Sequence, residues 1–368
     1  MLKKRCFAIF DRKLKKKGFE LQFNWIFVLI GGAIFLGFFF SLIANQTSNS
    51  QKSSAQEATQ ELDNLLKVSS ASENTQKSML FEKAGKKIIF SCDITSEYYV
   101  EGAFKPSRHD YNVIFSPSEL KGEDLIIMTK LFEAPFRTIP FVYVTNKDIE
   151  YVFVGPDDSI VLNAVFNAMP ETSTKKFIQP SEAIGYKDNN YERTVFIFEG
   201  ESALLSLSQL NFVKSDQRLF AVVIKPAEGA LLDYGELIFY TYAPGAGFVA
   251  NNAEATPYLG LNLVLGGVIS HDKTIYECNL RKSLVRLELL AQLHRQRMIY
   301  YAENTLPSCA DVYAGAENSA NLYLDSIHEY AGKKELILPD TYSLLLAIND
   351  LKTLNNYLLQ KTNCPRIY

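Results

Sequence analysis

Val195-Phe196-Ile197-Phe198 and Phe220-Ala221-Val222-Val223-Ile224 are unbroken apolar runs of strand length, rich in aromatic and β-branched residues. A strand with one wet face alternates apolar and polar side chains. A run without a polar position suits a strand buried on both faces, as in an α/β sheet. The runs extend to Thr194–Phe198 and Leu219–Ile224. Six further segments read as strands: Lys87–Cys92, Asn112–Phe115, Leu125–Thr129, Phe141–Thr145, Glu150–Val154 and Glu236–Tyr242. Short helical candidates lie between them at Ser159–Ala168 and Glu201–Leu210. The predicted class is therefore α/β, with a mixed or mostly parallel sheet occupying residues 79–270.

The last third changes character and predicts a helical subdomain, 271–368, packed on the sheet. Glu277–Glu303 carries Leu280, Leu284, Leu287, Leu290 and Ala291 on one face, with Arg281, Lys282, Arg286, Glu288 and Arg295 interspersed. That spacing is an amphipathic helix. Ser319–Tyr330 and Thr341–Lys361 predict two more, the last punctuated by Pro339 and Pro365. No repeat of fixed period is visible.

Upstream, Trp25–Ala44 is a run of 20 residues whose one polar side chain is Ser41, and no charge occurs from Leu21 to Gln51. Twenty residues at 1.5 Å each match a hydrocarbon core of about 30 Å. Thirteen of them are Leu, Ile, Phe or Val, which gives insertion about −4 to −8 kcal/mol. A signal peptide has a shorter apolar region and a small-x-small cleavage site. Cleavage after Ala44 would put Leu42 at the −3 position, and cleavage after Ser41 would put Phe39 there. An uncleaved transmembrane helix, 23–44, is the expectation. No Cys lies in or just after the run, so a lipoprotein cleavage site is not expected either.

Charge sets its direction. Residues 1–20 hold eight Lys/Arg and two acids, and the other 348 residues carry a net charge of −9. Basic flanks stay in the cytoplasm, so 1–22 is expected inside and everything from Asn45 outside, with Trp25 at the inner boundary. Ala33, Gly37 and Ser41 recur every four residues, a stripe that lets another helix approach closely. Asn45-Gln46-Thr47 is a candidate glycosylation sequon. Residues 45–78 are rich in Ser, Thr, Gln, Asn and Glu and read as a polar, partly helical stalk. Within it, Ala55, Ala58, Leu62 and Leu65 would give two weak heptads.

Four cysteines, Cys92, Cys278, Cys309 and Cys364, fall outside, an even number in a disulfide-permissive compartment; Cys6 falls inside. Cys278 opens the long helix and Cys309 follows its end. A straight helix would hold them roughly 40 Å apart, whereas a disulfide needs Cα atoms within about 7 Å. An up-down-up hairpin of the three helices returns Cys364 to Cys309. The favoured pairing is Cys309–Cys364 with Cys92–Cys278; free buried thiols are the alternative.

Lys15-Lys16-Lys17-Gly18-Phe19-Glu20-Leu21-Gln22-Phe23-Asn24-Trp25, leading into the apolar span, resembles the start of a group of uncharacterised archaeal membrane-anchored surface proteins. Cys364-Pro365-Arg366-Ile367-Tyr368 is similar to the Cys-Pro-x-x-Tyr tail of that group. The resemblance implies location and topology and no activity. Lys17-Gly18-Phe19 is also similar to a type IV prepilin leader, cut after the Gly. In that family Glu stands fifth in the mature chain, whereas here Phe23 is fifth and Glu20 second.

Chemistry-bearing motifs are sparse. Gly245-Ala246-Gly247-Phe248-Val249-Ala250 matches a dinucleotide fingerprint, but Asn251–Pro257 has no helical stripe, so a loop is predicted. Gly200-Glu201-Ser202 lacks the second Gly of a nucleophile elbow, and Ser202 reads as a helix start. Asp157-Asp158 after Gly155-Pro156 reads as a solvated turn. His271-Asp272 lacks an identifiable nucleophile, and His294 reads as a surface or packed residue. No cofactor and no metal are expected, there being no C-x-x-C and four His. At 47% hydrophobic and 21% charged, the chain is not disordered. The acidic bulk argues against nucleic acid. The expected partners are the lipid bilayer and other membrane or surface proteins. The functional expectation is a surface binding or assembly module. An extracytoplasmic hydrolase with a dispersed site and a subunit of a pilus-like or secretion assembly remain as alternatives.

Overall fold

In the computed structural model the two apolar runs are neighbouring parallel strands. It describes residues 17–368 apart from 73, 81–86, 94, 111, 122–123, 184–185, 187–190, 201–217, 244–245, 252–253, 305–306 and 362–363. β11 (Arg193–Glu199) pairs in parallel with β12 (Arg218–Pro226) on one side and β9 (Ile149–Val154) on the other. β10 (Thr174–Ile178) extends the parallel set beyond β9. β13 (Tyr234–Ala243) adds antiparallel to β12, and both β14 (Gly247–Ala250) and β15 (Thr256–Leu259) pair antiparallel with β13. The result is a seven-stranded mixed sheet.

The missing alternation is explained by two cores. Ile149, Tyr151, Phe153, Val195, Ile197, Val222 and Ile224 point into the main core. Val152, Val154, Phe196, Phe198, Ala221 and Val223, the intervening positions, point into a second core on the opposite face. Crossovers set the order. Helix α2 (Ile160–Ala168) carries the chain from β9 outward to β10, and α3 (Pro180–Ala183) lies on the return past β9 to β11. Strand order therefore reverses between β9 and β11.

Two smaller sheets precede this one. β1 (Gln76–Leu80), β7 (Asp124–Glu133), β8 (Arg137–Asn146) and β5 (Val113–Phe115) form the first, with β5 parallel to β8 and the rest antiparallel. β4 (Ser107–His109), β3 (Ser96–Val100), β2 (Ile88–Cys92) and β6 (Glu119–Leu120) form an antiparallel second. All eight segments read as strands lie in these elements. The other seven strands, β1, β3, β4, β6, β10, β14 and β15, are too short or too polar to show a strand-length apolar run, and it is pairing with their neighbours that makes them strands.

Helix α4 (Leu261–Ser270) is a second addition. It is apolar nearly all round and therefore shows no stripe; Leu263–Ser270 are buried throughout. Gly266 and Gly267 let it approach, since a Cβ would meet the Phe115 ring at 2.7 Å or Leu237 at 2.3 Å. The helical third follows as α5 (Lys273–Asn304), α6 (Pro307–Ala314), α7 (Ala320–Ala331) and α8 (Leu338–Lys361). The three amphipathic segments are α5, α7 and α8. Cys92–Cys278 and Cys309–Cys364 are bonded, each with Cα atoms 5.8 Å apart. These are the pairs that the helix lengths favour.

The first helix, α1, runs Lys17–Ser70. It contains the one span among the described residues that is long and apolar enough to cross a membrane, and every residue of Trp25–Ala44 is exposed. The chain divides into two compact units, Met1–Ser54 and Ala55–Tyr368. A free polar stalk would expose its side chains past Ser54. Instead Ala55, Ala58, Leu62 and Leu66 are buried in the main core. Leu66, not Leu65, takes the fourth position, because a 3-4-4 spacing follows the 3.6-residue period of a straight helix, not the heptad's 3.5. Thr59 Oγ1 accepts the Val100 amide at 3.0 Å, and Gln56 Oε1 accepts the Phe104 and Lys105 amides at 3.1 Å.

Leu62→Ala should therefore destabilise the Ala55–Tyr368 unit by about 2–5 kcal/mol, read as a lower denaturant midpoint at unchanged slope. Cys309 and Cys364 are 55 residues apart, and closing such a loop removes unfolded-chain entropy of about 4 kcal/mol. Cys309→Ser and Cys364→Ser should each destabilise strongly, and the double variant should be little worse than either single. Additive losses in chemical denaturation would show that the two cysteines act independently.

Candidate functional site: a cleft along the long helix

Helical spacing brings Cys278, Arg281, Lys282, Val285, Arg286 and Leu289 to one face of α5. They form one wall of a cleft of about 990 Å³. The other wall comes from three places: Thr138, Ile139 and Pro140 of β8; Asp93 and Thr95 between β2 and β3; and Asp110 and Asn112 between β4 and β5. Ser70, the last residue of α1, completes it. The opposite face of α5, with Leu280, Leu284, Leu287 and Ala291, is buried in the core. The Cys92–Cys278 disulfide ties α5 to the end of β2.

Lys282 carries the chemistry of the cleft. Its Nζ donates to Ser96 Oγ at 2.7 Å and to the His109 carbonyl at 3.3 Å. Burial pushes the ammonium down to about 8, against the pull of nearby Asp110. Arg281 is engaged elsewhere, donating to the carbonyls of Ala331, Gly332 and Lys333 at the end of α7.

Behind Lys282, Asp63 of α1 gathers β3 and β4. Its carboxylate accepts from Tyr98 Oη at 2.7 Å, His109 Nε2 at 2.5 Å and Lys67 Nζ at 2.6 Å. Tyr98 and His109 stack at 5.4 Å. Burial pushes the Asp63 carboxyl up, but hydrogen bonds from Lys67, Tyr98, His109 and Ser107 outweigh it and hold the group well below the usual carboxylate range. Burial and Asp63 together push the Tyr98 hydroxyl up.

The predicted positions are placed as follows. Ser159 caps α2, accepting from the Leu162 amide at 3.0 Å and donating to Glu199 at 2.6 Å. Asp157-Asp158 is an exposed turn, with Asp157 accepting from Gln179 at 2.8 Å. Gln179, Ser159 and Glu199 thus lace the carboxyl ends of the parallel strands to one another. Gly247–Ala250 is the strand β14 and not a loop, because its backbone pairs with β13; Gly245, Ser202 and Glu201–Leu210 lie outside the described residues. His271 and Asp272 separate into two helix-end roles. The fully buried His271 ends α4, and Asp272 accepts the Ile275 amide at 3.2 Å. Arg193 Nη1 donates to His271 Nε2 at 3.3 Å, and His271 Nδ1 donates to the Ile269 carbonyl at 3.0 Å. Burial and Arg193 keep the imidazole neutral, far below its ordinary range. His294 packs on the Phe136 ring at 4.6 Å. Trp25, Ala33, Gly37, Ser41 and Asn45 all lie on α1, exposed.

Among the described residues no group of three or more His, Cys, Asp or Glu could hold a metal ion. A second cavity, of about 650 Å³, is lined by charges of both signs, among them Lys273, paired with Glu277 at 3.5 Å, and Lys333, whose partner Asp340 is 2.7 Å away. No protein-family model, no curated protein and no solved structure matches the chain. What remains to point to a function is the cleft and the exposed apolar run of membrane length.

Asp63→Asn should lower stability at neutral pH by about 1–3 kcal/mol. The folded carboxyl lies below its ordinary 3.8, so its contribution is present above about pH 4 and is lost as pH falls toward the folded value. Denaturation curves of the two proteins should converge as pH drops below about 4. A gap that stays constant down to pH 2 would mean that Asp63 acts by shape and not by charge.

Proposed function

We propose that this chain is a membrane-anchored surface binding module. Trp25–Ala44 spans the bilayer, residues 1–22 stay in the cytoplasm, and the disulfide-bonded α/β domain stands outside the cell membrane. The single observation that carries the reading is the open cleft along α5, with its apolar wall and half-buried ammonium, in a chain that also bears an exposed apolar run of membrane length. Two bonded cysteine pairs support an oxidising compartment. The basic flank supports the orientation, since eight Lys/Arg precede the span and residues 45–51 carry none. A cleft that mixes apolar surface with a few polar groups suits ligand binding. The Ala33/Gly37/Ser41 stripe supports a helix partner within the membrane, and Asn45 is a glycan acceptor next to it.

Protease added to intact cells should remove the domain and leave a short N-terminal fragment. Full protection in intact cells, with digestion after permeabilisation, would reverse the orientation.

A further inference from the structure

We propose that the cleft along α5 binds a monoanionic amphiphile, its acid head on Lys282 and its apolar body against Ile139, Pro140, Val285 and Leu289. The proposal rests on the binding-module reading and names the class of ligand.

The head is specified by what Lys282 lacks. An ammonium has three donors, and two reach neutral oxygens, those of Ser96 and the His109 carbonyl. Among the described residues no carboxylate lies within ion-pair distance of it. Burying a cation beside neutral acceptors is costly, and the ammonium is already pushed down to about 8. An anion on the third donor relieves that cost.

The surrounding charges limit the anion to one unit. Asp93 and Asp110 stand on the strand side of the cleft and Arg281 and Arg286 on the helix side. Arg281 is held by three carbonyls, and the His109 ring is turned to Asp63. With Asp93 and Asp110 offsetting Arg281 and Arg286, the half-buried Lys282 leaves the cleft one net positive charge, which suits a carboxylate or a phosphodiester better than a dianion. The body is specified by the walls. Ile139 and Pro140 of β8 face Val285 and Leu289, one turn apart on α5, and Leu289 is 52% exposed. An apolar chain or ring that covers it gains by burial.

The test uses the full chain in phosphatidylcholine nanodiscs, with 4-phenylbutanoate and the uncharged 4-phenylbutan-1-ol as probes, titrated calorimetrically against empty discs. At about pH 7 the acid should bind roughly tenfold tighter than the alcohol. Burial pushes the ammonium down to about 8, so the advantage should fall as pH rises from about 7 to 10. Lys282→Met should abolish the advantage, so that acid and alcohol bind with equal affinity. Lys282→Arg should keep it and hold it at pH 10, because a guanidinium stays charged there. Discs containing phosphatidylglycerol identify the source of the anion. Competition with the probe assigns it to a lipid headgroup, lack of competition to a free acid, and either outcome supports the shared chemistry. Equal affinities for acid and alcohol, or an advantage that survives Lys282→Met, would overturn the anionic class and leave the binding module standing. Binding of neither probe would overturn the proposal outright, while the protease result would still decide the topology by itself.

Discussion

Asn279 closes the open edge of a sheet with its side chain. Its Oδ1 accepts the Ile114 amide at 3.0 Å and its Nδ2 donates to the Ile114 carbonyl at 2.7 Å. β5 is three residues long and lies at the end of its sheet, so these two groups would otherwise be buried without partners. The pair also sets the rotation of α5. With Asn279 turned to β5, Leu280, Leu284, Leu287 and Ala291 face the core, and Cys278, Arg281, Lys282, Val285, Arg286 and Leu289 face the cleft. Phe115, the next residue of β5, then packs between Tyr143 at 5.7 Å and Tyr276 at 6.0 Å. The cleft wall, the disulfide at its end and the aromatic core beneath it all follow from where that amide binds.

Two other buried polar contacts join elements that are distant in sequence. Arg193, 2% exposed, sits between His271 at the end of α4 and Glu119 of β6, 3.9 Å away. It links the large sheet to the small antiparallel one. Asp63 links the end of α1 to the same small sheet from another side. Contacts of this kind add little net stability compared with apolar packing, but breaking one partner leaves a buried charge exposed to its full desolvation cost. They make the arrangement specific. Lys282 differs from both, because the two oxygens that accept its hydrogen bonds, of Ser96 and the His109 carbonyl, are neutral.

Much of the fold was legible in the sequence. Val195–Phe198 and Phe220–Ile224 announced a doubly covered sheet, because an exposed face would have required polar residues. Leu280, Leu284, Leu287 and Ala291 announced α5 by period. Cys278 and Cys309 excluded each other by helix length. The misses have equally physical causes. Leu261–Ser270 is apolar on all sides, so it shows no period. In residues 45–78 the many Ser, Gln and Glu outnumber the buried Ala55, Ala58, Leu62 and Leu66, and small alanines give a weak apolar signal even where they are fully packed. Gly247–Ala250 looked like a loop because its pairing partner, β13, supplies the reason for a strand.

The candidate site was hardly legible at all. Lys282 appeared as one of several charges on an amphipathic helix, and Asp63 as one acid in a polar stretch. Local composition and spacing determine which segments are helix or strand, which run can enter a bilayer and which cysteines can meet, because these depend on neighbours a few residues away or on the reach of a helix. The environment of a charged side chain depends on groups far off in sequence. Ser96, His109 and Lys282 meet only when β3, β4 and α5 pack together, and it is that desolvation, decided by the tertiary structure alone, that sets this lysine apart from the other charges of its helix.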